Sequence, residues 1–310
     1  MKLGIIGAGA VGFSVGYTAA RMGIASDILY NDIIEERAKA QAMDIEDASS
    51  FYPYYVKMGW GLYKDMADRD IIVTATGSLD GIRDRLEEYE MFKDATEAYV
   101  KEIVEAGFDG IFIVVGNPCD LMADLVYRAS GFPKERVIGS GTALDTVRLN
   151  TTLCKLLELD PADVRGVVLG EHGESQFVAW SNIFINNLQF DEYLRQNPAS
   201  FSRDDVENLV RERAWRVIDG KGHTQCGIGN TVCSMIDAIT NDRKKIILVA
   251  TLMEGMYGLN DIYLSTPCVL GKNGMEKAIE LNLNEEELAR LKHSEKVLKA
   301  NREKYKQDLY

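Results

Sequence analysis

Gly7-Ala8-Gly9-Ala10-Val11-Gly12 follows directly on an apolar run from Leu3 to Ile6 and leads into a segment with helical spacing. Three glycines at this spacing, between a strand and a helix, are compatible with few folds. Gly7 makes the turn, Gly9 lets backbone amides approach a pyrophosphate, and Gly12 permits close packing of the helix. The helix N-terminus then offers its N–H groups to an anion. The chain has 27 glycines, so the spacing alone would arise by chance and the context gives it weight. Asp32 lies twenty residues past Gly12, at the end of the second predicted strand, where a carboxylate accepts ribose hydroxyls and repels a 2′-phosphate. The expected cofactor is therefore NAD rather than NADP, held by Gly7, Gly9, Val11, Gly12 and Asp32.

The first 140 residues continue that rhythm. Predicted strands at Lys2 to Ile6, Asp27 to Tyr30, Ile71 to Ala75, Ile111 to Val115 and Val137 to Ile138, with a weaker one near Val56 to Met58, alternate with helical patterns. The helices are predicted at Val11 to Met22, Glu35 to Ala48, Leu86 to Ala106 and Leu121 to Ser130. Right-handed crossovers between such strands give a doubly wound parallel sheet. A boundary is placed at Gly139-Ser140-Gly141, dividing the chain into residues 1–140 and 141–310. In the second part, Val164 to Leu169, Phe177 to Trp180 and Asn182 to Ile185 read as antiparallel strands, and Arg203 to Ile218 and Asn230 to Thr240 as helices. Two apolar runs, Lys245 to Leu252 and Asp261 to Val269, precede a polar C-terminal helix. Asn284 with Glu287 forms a capping-box-like start to that helix.

A formal net charge of −13 over 310 residues disfavours phosphate backbones and anionic lipid, and no dense Lys/Arg run makes a local exception. Nucleic acid and membrane are not expected as partners, and no stretch is apolar enough to span a bilayer. Cys119, Cys154, Cys226, Cys233 and Cys268 lack paired spacing, so they are expected to be reduced, small buried hydrophobes in a cytoplasmic protein. No metal site is expected.

Among three histidines, His172 is presented by Gly170 and Gly173, close in the chain to Asp145 and Arg148. Imidazole titrates near neutrality, a buried carboxylate can orient it, and a guanidinium matches a substrate carboxylate through two hydrogen bonds. His293 sits in a charged helix and is expected to be solvated. His223 is placed in a loop that could line a pocket. Tyr89 and Lys93 fit a Y-x-x-x-K spacing, but the glycine pattern does not suit that chemistry, and both are assigned to a solvated helix face.

Taken in order, several segments resemble the lactate/malate dehydrogenase family, in its L-2-hydroxyacid dehydrogenase branch. They are Gly7 to Gly12, Ala42-Met43-Asp44, Gly116-Asn117-Pro118-Cys119-Asp120, Gly131-Phe132-Pro133, Val137 to Thr142, Leu144 to Arg148, Gly170 to Ser175 and Val269 to Gly274. The similarity runs from residue 2 to about residue 300. It implies an N-terminal Rossmann sheet followed by an α+β catalytic domain, and a homodimer or homotetramer acting on a small 2-oxo or 2-hydroxy acid. By resemblance, His172 is the proton relay, Asp145 its orienting acid and Arg148 the ligand of the substrate carboxylate. Asn117 bonds the reacting oxygen and adjoins the cofactor, and Pro118 is the family's cis proline. Thr76, Gly77 and Tyr63 fall on cofactor contacts, and Thr224 on a wall of the side-chain pocket.

A gapless comparison of residues 73–85 places the carbonyl-polarising arginine on Arg85 and the specificity position on Leu79. The loop lacks the usual Lys-Pro-Gly, having Asp80, Gly81 and Ile82, and Arg83 rivals Arg85. An apolar Leu79 offers no charge to a second carboxylate. The reaction implied is NAD-dependent interconversion of L-2-hydroxy and 2-oxo acids with an apolar tail, such as 2-oxoisocaproate. L-lactate dehydrogenase is the first alternative and malate dehydrogenase the second. A catalytically silent NAD-binding protein is the alternative from another class.

Overall fold

The computed structural model describes residues 1–77 and 85–306, with side chains at 1–77 and 88–304. Residues 78–84, with Leu79 and Asp80, lie outside the described part, as does the Arg85 side chain.

The N-terminal part follows the predicted alternation. β1 (Lys2–Ile6), α1 (Ala10–Arg21), β2 (Asp27–Asn31), α2 (Glu35–Ser49), β3 (Lys57–Trp60), β4 (Ile71–Thr74), α3 (Arg85–Glu105), β5 (Ile111–Val114), α4 (Cys119–Ser130), β6 (Val137–Gly139) and α5 (Ala143–Leu157) succeed one another. β4 and β5 are buried at every position, as strands covered by helices on both faces must be. Next come β7 (Val164–Arg165), β8 (Val168–Leu169), β9 (Phe177–Val178), β10 (Phe184–Ile185), β11 (Leu188–Gln189), α6 (Phe190–Gln196), α7 (Arg203–Lys221) and α8 (Cys226–Thr240). The chain finishes with β12 (Lys245–Glu254), β13 (Asn260–Gly271), β14 (Gly274–Ala278) and α9 (Glu285–Lys306).

The main sheet has the order β14-β13-β12-β6-β5-β4-β1-β2-β3. From β6 to β3 the strands are parallel, while β12 joins β6 antiparallel through the pair Ala250 and Gly139. The long apolar runs of the second half therefore extend the first sheet. Residue 140 marks the end of the parallel strands and not of the sheet. The predicted strand from Val164 to Leu169 is divided: β7 pairs with β10, and β8 with β9, in two small antiparallel sheets. A third apolar cluster, including Leu149, Val168, Trp180, Phe190 and Val210, ties these to α5 and α7. The capping box at α9 forms, Asn284 Oδ1 accepting from the Glu287 N–H at 2.9 Å and Glu287 Oε2 from the Asn284 N–H at 3.1 Å.

Two expectations are corrected. Tyr89 and Lys93 are buried, because α3 turns that face towards α4; burial, with Asp124 adding, pushes the Tyr89 phenol up to about 12. All five cysteines are free, but Cys226, at the exposed start of α8, is not a buried hydrophobe as the other four are.

Candidate active site

The C-terminal ends of β1, β4 and β5 open into a cavity of about 300 Å³, whose other walls come from α5, the segment around His172 and α7. Ligands of doubly wound sheets bind at this edge, where neighbouring crossovers diverge.

The glycine-rich wall is shaped by backbone. Gly7 turns with φ +96°, and a Cβ on Gly12 would stand 1.9 Å from the Gly7 carbonyl oxygen, so nothing larger fits. A Cβ on Gly9 would meet nothing among the described residues within 4 Å, because Gly9 faces the cavity together with Ala10 and Val11. Gly9 caps α1 without a side-chain hydrogen bond, and the first turn contains no acidic residue, which leaves a positive helix end directed at this space. Asp32 braces the turn: its Oδ2 accepts from the Ala8 N–H and its Oδ1 from the Ile34 N–H, both at 2.8 Å. Thr76 and Gly77 continue the wall, and the buried Thr76 Oγ1 has no hydrogen-bond partner within 3.5 Å among the described residues. An open cradle, a helix N-terminus and an orphaned hydroxyl together fit a dinucleotide. Tyr63 lies outside this lining, its half-buried ring stacked on Tyr99 with centroids 5.4 Å apart.

The opposite wall is shaped by buried charge. Asp145 and Arg148 are three residues apart on α5 and therefore share a face. Arg148 Nη1 donates to Asp145 Oδ1 at 2.8 Å, and Asp145 Oδ2 stands 2.6 Å from His172 Nδ1. Asp145 is 1% exposed. A carboxylate so enclosed and doubly engaged holds the ring in one orientation, with Nε2 as the nitrogen it does not engage, and favours the imidazolium. His172 lies in the connection between β8 and β9, which Gly170 enters with φ +89° at a bridge to Ser265. α5 is fastened to the same β8, since Thr142 Oγ1 donates to the Val168 carbonyl at 2.6 Å and Thr146 Oγ1 accepts from the Val168 N–H at 3.2 Å. Residues far apart in sequence are thereby held on one frame.

The structure thus brings Gly9, Val11, Thr76, Gly77, Asn117, Arg148, His172 and Thr224 to one cavity, with Gly7, Gly12, Asp32 and Asp145 as supports behind it. The Asn117–Pro118 peptide is cis, as the resemblance implies. His223 lines the cavity and His293 is exposed, both as expected. Among the residues at or beside the site to which the sequence reading gave no role are Glu88, Trp215, Ile218 and Asp120. Glu88, 3% exposed, and Trp215 line the cavity. For Trp215 the signal was its place on the inward face of the predicted helix, between Arg203 and Ile218. Asp120 lay inside the Asn117-Pro118-Cys119-Asp120 segment. Among the described residues, no group of three or more His, Cys, Asp or Glu side chains is arranged to hold a metal ion, and no helix is long and apolar enough to cross a membrane.

Comparison with known families decides what this arrangement belongs to. Residues 1–139 match the NAD-binding domain of lactate/malate dehydrogenases, and residues 142–309 their alpha/beta C-terminal domain. The chain belongs to the lactate/malate dehydrogenase family. Its relatives in this family include L-lactate dehydrogenase 3 of Bacillus thuringiensis subsp. konkukian, 36% identical over 302 residues and covering 96% of both chains. L-lactate dehydrogenase of Clostridium botulinum strain Loch Maree is also 36% identical, covering 96% of this chain and 95% of its own. Among solved structures, the minor L-lactate dehydrogenase from Enterococcus mundtii, in its ligands-bound form, superposes with a TM-score of 0.92 at 32% identity, over 97% of this chain and 96% of that one. A lactate dehydrogenase from a Medee basin deep-sea metagenome library gives 0.91 at the same identity, over 97% of each chain.

Proposed function

We propose that this dehydrogenase interconverts L-2-hydroxy acids and 2-oxo acids with NAD, and that it prefers an apolar substrate tail. Bound at the glycine-rich wall, NAD supplies the two-electron chemistry, exchanging a hydride with carbon 2 of the substrate. His172 takes the hydroxyl proton during oxidation and returns it during reduction, while Asp145 steadies the imidazolium. Arg148 receives the substrate carboxylate on its guanidinium fork. Asn117 donates to the reacting oxygen, and Arg85 at the start of α3 is assigned the polarising charge by family resemblance. Asp32 selects the unphosphorylated ribose.

One observation carries the preference for an apolar tail: Leu144, Ala214, Trp215, Ile218 and Ile228 line the same cavity as His172 and Arg148. Each methylene buried there contributes about 0.8 kcal/mol, roughly four-fold in kcat/KM. Leu79, the residue at the family's specificity position, agrees with this reading in kind. The L-lactate dehydrogenase names of the relatives favour pyruvate as the second candidate. A panel of pyruvate, 2-oxobutyrate, 2-oxoisocaproate and oxaloacetate with NADH separates the two. The expected order of kcat/KM rises with apolar tail length and places oxaloacetate last; oxaloacetate above every apolar substrate overturns the assignment of the tail pocket.

A further inference from the structure

Asp120 stands in the first turn of α4, behind the cavity, and is 2% exposed. Its Oδ2 accepts the main-chain N–H of His172 at 2.8 Å, while its Oδ1 is buried with no hydrogen-bond partner among the described residues. An ionised carboxylate offers about four acceptor sites, so burial with one oxygen unsatisfied disfavours the charge. The charged groups facing it do not compensate. Glu171, from the His172 segment, and Asp145, from α5, are both acidic, and Asp145 is already engaged by Arg148 and His172. Burial, with Glu171 and Asp145 adding, pushes Asp120 up to about 8. Cys119 beside it is a buried thiol pushed up to about 12 and brings no charge at neutral pH.

We propose that Asp120 is a positioning residue for His172: its carboxyl group holds the segment that carries the imidazole and, through its own charge, sets the proton affinity of the ring. The proposal rests on the reading of His172 as the proton relay. With Asp120 a neutral acid, the ring is governed by Asp145. When Asp120 ionises, a second negative charge develops against the main chain of the same residue, and the imidazolium is favoured further. The two protons then leave in macroscopic steps that belong to the pair. Reduction of a 2-oxo acid needs the protonated ring, so this charge carries activity to higher pH.

Asp120→Asn keeps the shape and an acceptor for the His172 N–H but cannot ionise. The test is an NMR titration of histidine-labelled protein without substrate, in which His223 and His293 serve as internal controls. In Asp120→Asn the His172 midpoint should fall by about half a pH unit or more, with the controls unmoved. The alkaline limb of kcat/KM for reduction should move down with it, while kcat at pH 6 stays within about two-fold of wild type. Superimposable His172 curves in the two proteins would overturn the proposal. Should the Asn variant not fold, Asp120→Ser enters the same titration. Asp120→Ala, which removes the acceptor, should lower kcat at pH 6 about ten-fold or more with KM for NADH unchanged, and an unchanged kcat would remove the holding role. If the wild-type protein reduces no 2-oxo acid, the functional reading fails separately, because the titration needs no turnover.

Discussion

The wall formed by residues 7–12 is shaped by side chains that are missing, whereas the wall around His172 is shaped by ionisable groups that are buried. At Gly12 the space is already filled by the Gly7 carbonyl, and at Gly9 it is open towards the cavity. Around His172, each of Asp120, Asp145 and Arg148 has a partner 2.6 to 2.8 Å away, two of them on the ring or main chain of His172 itself. The first wall should tolerate altered charge but not added volume. The second should tolerate small changes of shape but not the loss of one member, because each loss removes a hydrogen bond from another buried group.

The largest effect that would sharpen this contrast is expected at Arg148. Arg148→Gln removes the fork for the substrate carboxylate and takes from Asp145 the guanidinium that bonds its Oδ1. Truncating one member of a buried charge pair costs about 2 to 5 kcal/mol, so kcat/KM for the 2-oxo acid should fall between about 30-fold and several thousand-fold. NADH affinity, measured by fluorescence titration, should be unaffected. Equal weakening of NADH binding would show that the two walls are not separable.

A pair of glycine substitutions breaks the first wall in two ways. Gly12→Ala places its Cβ against the Gly7 carbonyl and should destabilise by about 1 to 3 kcal/mol, lowering Tm by several degrees. Gly9→Ala meets no atom of the described residues within 4 Å and should leave Tm within about 2 °C, yet weaken NADH about ten-fold. Calorimetry with NADH titration checks both, and a large fall in Tm for Gly9→Ala would contradict the open cradle.

A smaller effect concerns stability and pH. The Asp120 carboxyl is raised to about 8 in the folded protein, while an unfolded aspartate ionises near 3.9. The folded state therefore holds more protons between these values, and stability is lost as pH rises through that window. Asp120→Asn lacks this loss, so its Tm should gain on that of the wild type as pH rises from 5 to 8. A constant difference in Tm would show that Asp120 is ionised in the fold throughout. Smallest of all, one thiol of five should react quickly with a colorimetric reagent in the native protein, because Cys226 is exposed and the other four are buried.

The sequence made the first wall almost fully legible. Its information is local: a strand, a turn and a helix within twenty residues, with Asp32 one strand further on. The parallel strands of this half were placed to within a residue or two at most ends, because strands buried on both faces read as short continuous apolar runs. In the second wall the sequence showed the residue types that suit acid–base chemistry, and resemblance assigned their roles. Asp145, Arg148 and His172 are joined by contacts across 27 residues, and nothing in their spacing states that β8 brings them together. Asp120 went without a role because its contact with His172 spans 52 residues and uses the main chain, which leaves no trace in residue type. Lys245–Glu254 and Asn260–Gly271 were visible as apolar runs, but their joining of the first sheet depends on a close approach of Gly139 to Ala250 that periodicity does not encode. The α3 face with Tyr89 and Lys93 was misjudged because a mixed polar face reads as solvated until the helix packed against it is known.

The account turns on His172 as proton relay beside an independent cofactor wall, and one sample of His172→Gln tests both. NADH binding and NADH oxidation by the best 2-oxo acid are measured on that sample. Binding should match the wild type while turnover falls by about 10² to 10⁴-fold. Turnover retained at the wild-type rate would contradict the account.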